Sequence, residues 1–320
     1  MSRVRIRSVA VGLWLWLGLG VSHALPQTRT PSVTRPTTDE LERALARRDS
    51  VELERLGARF GAVRLAALVE RGSPAARKAA LAALEIVEGS LAFVPRLVSL
   101  ADRADADPTT AAAITASVRR ICERVPRGEL NLDELPADLP RAAVDALAAL
   151  AGRDERAPAL RVDAVAALAA LVSIAPSASQ KLMAMSATRD ADVRRAVADA
   201  LPAQSAAPVL ARMLSEDAAP TVALAAADSL CRDIPPPGAE KKADKTLERA
   251  SLLSVTSRAR LRQLAVDTTL DENERLDVLP CLRAGAQKAE EQHADAEVLR
   301  TLSRGADGPL KKRARAYGPR

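Results

Sequence analysis

Aromatic side chains make up only 2% of the 320 residues, and histidine occurs twice. Both tryptophans (Trp14 and Trp16) and His23 fall within the first 24 residues, which leaves Phe60, Phe93, Tyr317 and His293 for the rest. That scarcity removes the stacking platforms on which a nucleic-acid groove is built. One remaining histidine, with no Cys-x-x-Cys pair, cannot assemble a zinc site or a Ser-His or Cys-His nucleophile from nearby sequence. The expectation is a non-enzymatic chain that uses no metal and no cofactor. A basic body is missing as well. The formal charge of +6 rests on Arg3, Arg5 and Arg7 at one end and on Lys311, Lys312, Arg313, Arg315 and Arg320 at the other. Residues 25–310 between them carry −2, so the pI of about 9.6 describes two ends and gives no extended surface for a phosphate backbone.

What is present begins with a leader. Three arginines precede an apolar run from Val9 to Val21, which closes on "SHA" with Ser22 and Ala24 as small residues. This order makes residues 1–24 a secretory signal peptide and directs the chain to the periplasm or outside the cell. The run is shorter than the roughly 20 residues of a membrane span, so cleavage after Ala24 is expected, with retention as an N-terminal anchor the alternative. Residues 25–38, "LPQTRTPSVTRPTT", have no helical period and read as an extended linker. Thr37, three residues before Glu40, then signals a capping box opening a helix to about Asp49, and Ser50 is placed to cap a second.

Ala, Leu and Val dominate the 48% hydrophobic content, which favours helices packed through small side chains. One phrase returns five times: "SPAARKAALAAL" at 73–84, "DPTTAAAITASV" at 107–118, "APALRVDAVAAL" at 157–168, "DADVRRAVADAL" at 190–201 and "APTVALAAADSL" at 219–230. Its fourth, seventh, eighth, eleventh and twelfth positions are the apolar or small ones, as in Val193, Ala196, Val197, Ala200 and Leu201, with Asp163 the charged exception at the seventh. That is one helical stripe. Proline stands second in four phrases (Pro74, Pro108, Pro158 and Pro220), where a helix start tolerates its missing N–H. Successive phrases end 34, 50, 33 and 29 residues apart, which suits a pair of helices per repeat. The second helix of each pair shows in "VPRLVSL" at 94–100 and "APVLARML" at 207–214, with Pro95 and Pro208 expected near helix starts. The polar stretch 125–140 is an insertion of the sort that emerges as a loop on one face.

On these phrases, over about residues 70–233, the sequence resembles the HEAT-repeat family, and especially the short HEAT-like repeats of the phycobilisome-lyase type. The resemblance implies an all-α solenoid of stacked antiparallel helix pairs, assigned to residues 39–233, that serves as a scaffold or binds another protein. The lyase subset implies the alternative, a chromophore-attaching enzyme or an enzyme-associated subunit. Residues 234–320 carry helical patterns at about 244–267, 271–284 and 295–304 without the phrase, and read as degenerate repeats or a cap.

Arginine recurs at the fifth phrase position, in Arg77, Arg161 and Arg194, at the edge of the apolar stripe. A recurring position suggests a recurring structural task between repeats: the stem packs while the guanidinium reaches a carboxylate such as Asp163, Asp190 or Asp192. The competing reading has the same arginines bind an anionic ligand. Arg195 stands where the other phrases have Lys78, Ala112, Val162 and Leu224, so specificity is expected in what differs between repeats. Of three cysteines in an exported chain, Cys231 and Cys281 lie near prolines at the junction of the C-terminal segment and are expected to pair, leaving Cys122 packed as a small hydrophobe. The runs Glu290–Glu291 and Asp271, Glu272, Glu274 read as solvated helix faces, and the tail "LKKRARAYGPR" as a frayed, solubilising terminus, or else a contact for an acidic partner or anionic lipid.

Overall fold

A computed structural model describes residues 36–103, 107–130, 132, 136–232, 234, 253–283 and 288–318. The leader, the linker up to residue 35, and the stretch 235–252, with its "PPPGAEKKADK", lie outside the described residues. Among those described, all regular structure is helical. Three short helices open the fold: α1 (Thr38–Ala46), α2 (Ser50–Phe60) and α3 (Ala62–Arg71). The Thr37 N–H donates to Glu40 at 2.9 Å, and the cap of α2 is Asp49, which accepts from the Glu52 N–H at 3.0 Å. Ser50, expected as that cap, is instead the first helical residue, because the Asp49 carboxylate reaches the orphan donor one position earlier.

The five phrases become five helices: α4 (Pro74–Leu84), α6 (Pro108–Glu123), α8 (Pro158–Leu171), α10 (Ala191–Ala200) and α12 (Pro220–Cys231). The first residue of every phrase is the N-cap. Ser73, Asp107 and Asp190 accept first-turn N–H groups through their side chains, while Ala157 and Ala219 cannot. Between them lie α5 (Val94–Ala101), entered by a short 3₁₀ turn at Ser90–Phe93, then α7 (Leu139–Ala151), α9 (Pro176–Met185) and α11 (Ala203–Glu216). The phrase helices pack on one another in chain order, α4 on α6, α6 on α8, α8 on α10 and α10 on α12. Helices α3, α5, α7, α9 and α11 form a second layer, each against the phrase helix that follows it. Two layers of stacked helix pairs make an all-α solenoid.

This packing corrects the expected stripe. Val193, Val197 and Leu201 are buried, but Ala196 and Ala200 are only half-buried, and Ala198 is buried in their place. The ninth phrase position, unassigned from the sequence, is buried in all five repeats (Leu81, Thr115, Val165, Ala198 and Ala227). A phrase helix meets neighbours on both sides as well as the second layer, so its buried arc is wider than the stripe of a helix lying on one surface. Alanines at the contacts (Ala79, Ala80, Ala83) let the axes come close. At Gly57 of α2 a Cβ would stand 2.7 Å from a Val87 methyl, so glycine is required by proximity there. Pro208, expected near a helix start, lies inside α11, which begins five residues earlier.

The C-terminal segment continues the second layer and then closes it. Helix α13 (Val255–Val266) packs on α11, and it is followed by α14 (Glu272–Leu276), α15 (Leu279–Arg283), α16 (Ala289–Arg304) and α17 (Pro309–Tyr317). A disulfide between Cys231 and Cys281 joins α12 to α15, with Cα atoms 5.4 Å apart. Between α13 and α16 the buried Arg258 donates to Asp295 at 2.6 Å, and Arg262 bridges Asp295 at 2.8 Å and Glu291 at 2.6 Å. The expectation of a frayed tail is corrected: residues 309–317 are helical because Leu310, Ala314 and Tyr317 fall on one face and are buried. The Leu310 N–H donates to Glu272 at 2.8 Å, and Arg313 stacks over the Tyr317 ring at 5.2 Å.

Candidate functional site

The arginines at the fifth phrase position share a task that the sequence suggests only in outline. Each turns back to the C-terminal end of the second-layer helix before it, or to the turn that follows, where the last carbonyls of a helix have no intrahelical donor. Arg77 Nε donates to the Val69 carbonyl at 2.8 Å and Nη1 reaches Thr110 of the next repeat at 3.4 Å. Arg161, only 2% exposed, donates to the Ala151 carbonyl at 2.9 Å and to Asp154 at 2.8 Å. Arg194 donates to the carbonyls of Thr188 and Arg189 at 2.8 and 2.7 Å. A guanidinium at these ends also meets the negative pole of the helix.

The partners therefore differ from the expected carboxylates. Asp163 takes Arg119 at 2.9 Å, and Asp190 is a cap. Only Arg194 forms a fork with a carboxylate of the next pair, Asp217, through Nε at 2.6 Å and Nη2 at 2.9 Å. Burial alone would raise the Asp217 carboxyl, but the Arg194 guanidinium and the Ala219 N–H together hold it below the usual aspartate range. The counterpart of Asp217 is Asp102, likewise the first residue after a second-layer helix. It is clasped by the following turn, where Arg153 lies at 3.1 Å and Arg156 binds both its carboxylate and its carbonyl.

Groups set aside as solvated faces are partly structural. Asp271 caps α14 while Glu274 returns the bond at 3.0 Å, Glu272 caps α17, and Glu291 belongs to the buried network with Arg262. His293 and Arg195 are exposed. Among the described residues no group of three or more His, Cys, Asp or Glu could hold a metal ion, and no helix is long and apolar enough to cross a membrane.

Among the described residues, one groove of about 500 Å³ lies where α4 and α6 end, lined by Glu85, Arg120, Arg124 and Glu129, and others lie beside the turn after α11. At that turn, a groove of about 360 Å³ lies between the 186–188 and 216–218 turns, walled by Arg194, Arg212, Glu216 and Asp217. On the far side of the same turn a second groove, of about 510 Å³, runs to α13, where Thr256, Arg260 and Gln263 line it. The two grooves share Asp217 and Ala218 and form one surface feature. Asp217, Arg212 and Arg260 were not visible in the phrase alignment because all three lie outside the phrase.

No protein-family model matches the chain, and no curated protein matches it. Solved structures do. The structure of YibA from E. coli superposes with a TM-score of 0.50 at 15% identity, over 80% of this chain and 81% of that one. An archaeal HEAT-like repeats protein from Thermococcus onnurineus NA1 gives 0.44 at 12% identity, covering 84% and 95% of the respective chains. A designed armadillo repeat protein in complex with a (KR)4 peptide gives 0.33 at 16% identity, over 88% and 98%. At 15% identity the likeness to YibA is one of fold, and it agrees with the all-α solenoid described above.

Proposed function

We propose that the protein is an exported, non-enzymatic solenoid that binds another protein in the periplasm or cell envelope. The observation that carries this reading is the edge formed by the helix junctions. Arg77, Arg161 and Arg194 fix three of the junctions from within, and Arg153 and Arg156 clasp the one after α5, so these turns are held in place, and the last junction offers an open, polar groove. A rigid row of turns ending in a groove is preorganised for an extended protein surface and loses little on ordering. Export rests on the leader alone, and N-terminal sequencing of the mature chain is expected to begin at Leu25.

The test is crosslinking in the native host followed by mass spectrometry. A recurrent protein adduct is the expected result. Copurification of a small chromophore without a protein adduct would overturn the reading in favour of a chromophore-lyase-like enzyme.

A further inference from the structure

The open junction carries an unusual charge arrangement. At the α5 end, Asp102 is held by two arginines of the next turn. At the α11 end the equivalent acid, Asp217, is already neutralised by Arg194, which comes from the preceding turn. Two further cations line the grooves without a carboxylate in ion-pair contact, Arg260 acting only at longer range on Asp217 and Asp267. Arg212 is exposed and is held by the buried Ser186 hydroxyl at 3.2 Å. Arg260, half-buried on α13, is held by the Gln263 side-chain oxygen at 2.7 Å. Among the described residues neither arginine pairs with a carboxylate. Both are anchored by neutral acceptors, so they are positioned but keep their charge for a ligand. Glu216 on the rim is the only other ionised group lining either groove, which leaves three cations against two anions.

We propose that this two-lobed groove binds an extended acidic segment of the partner protein, with carboxylates placed on Arg212 and Arg260 astride the 216–218 turn. The proposal rests on the protein-binding reading above and names the chemistry of the partner. Anchored guanidinium groups suit carboxylates because the fork geometry is already set and little side-chain entropy remains to be lost. The segment is extended because the grooves run on both sides of one turn, an arrangement that a single compact anion would occupy only by half.

The test is fluorescence anisotropy with a labelled octapeptide of alternating Glu and Asp, and with its counterpart of alternating Lys and Arg, titrated by the full mature chain at low salt. The acidic peptide is expected to bind, and the basic one at least tenfold more weakly. Arg212→Ala with Arg260→Ala should weaken the acidic peptide roughly tenfold or more, since two charge-assisted contacts are lost. Lys312→Ala with Arg315→Ala, on the remote basic helix, should change it less than twofold. Circular dichroism checks that each variant is folded. Equal binding by wild type and the Arg212/Arg260 variant, or no preference for the acidic peptide, overturns the inference. If that happens while a protein adduct is still recovered from the host, the protein-binding reading stands and only the acidic groove falls.

Discussion

Arg194 is the side chain on which the last junction turns. It joins three separate segments through two carbonyls and a forked carboxylate, and its side chain and that of Asp217 are 16% and 8% exposed. Arg194→Ala strands the Thr188 and Arg189 carbonyls and leaves Asp217 without its counter-charge, at a cost of about 2–4 kcal/mol by chemical denaturation. The pH dependence has a definite sign. Asp217 is held below the ordinary aspartate value when folded, so its stabilisation is complete above that value and is lost as pH falls through the folded one. Asp217→Asn should therefore be less stable than wild type at neutral pH, and the gap should narrow as the pH is lowered below about 4. A gap that widens on acidification would contradict the pairing. At the same scale, Cys122 is fully buried, and burial pushes its thiol up to about 12. With Cys231 and Cys281 bonded, the native protein should show no thiol reactive to Ellman's reagent, and the unfolded, unreduced protein should show one.

The twelve-residue phrase is a packing unit, and its alanines set the distance between helices. Ala83→Leu adds three carbons to a contact with no room, between α4 and its neighbours, and is expected to lower stability by about 1–3 kcal/mol. An unchanged urea midpoint would show that the contact is looser than described. Much of this element scale was legible beforehand. The period of the phrase predicts the helices, and the prolines at its second position mark where four of them start. The ninth position escaped notice because amphipathicity reports one buried face, whereas a helix flanked on both sides buries positions that a simple wheel assigns to the rim. The recurring arginines were equally visible, but their partners were not. A carbonyl carries no signature in sequence, and Asp102 and Asp217 lie after the second helix of a pair, where the repeat is weakest. The C-terminal helix is hidden in the sequence for a related reason: Leu310, Ala314 and Tyr317 are only three apolar positions among many charges, and their burial depends on α14, α15 and α16 arriving from elsewhere in the chain.

Across the whole molecule, the solenoid is finished by a cap and fastened covalently. The disulfide closes a loop of 50 residues, for which the chain-entropy relation gives about 4 kcal/mol at most. Reduction, or Cys281→Ser, should lower the unfolding midpoint and first loosen the cap formed by α15, α16 and α17, seen as faster amide exchange there than in α6 or α8. The functional account makes a spatial claim at this scale: the junction edge around the 216–218 turn meets the partner, and surfaces far from it do not. The most direct measurement is site-specific photocrosslinking in the native host, with a benzoylphenylalanine placed at Ala218, or at Val63, which is 71% exposed in the first turn of α3. The expected result is a discrete protein adduct from Ala218 and none from Val63. No adduct at Ala218, or the same adduct from both positions, would contradict the claim.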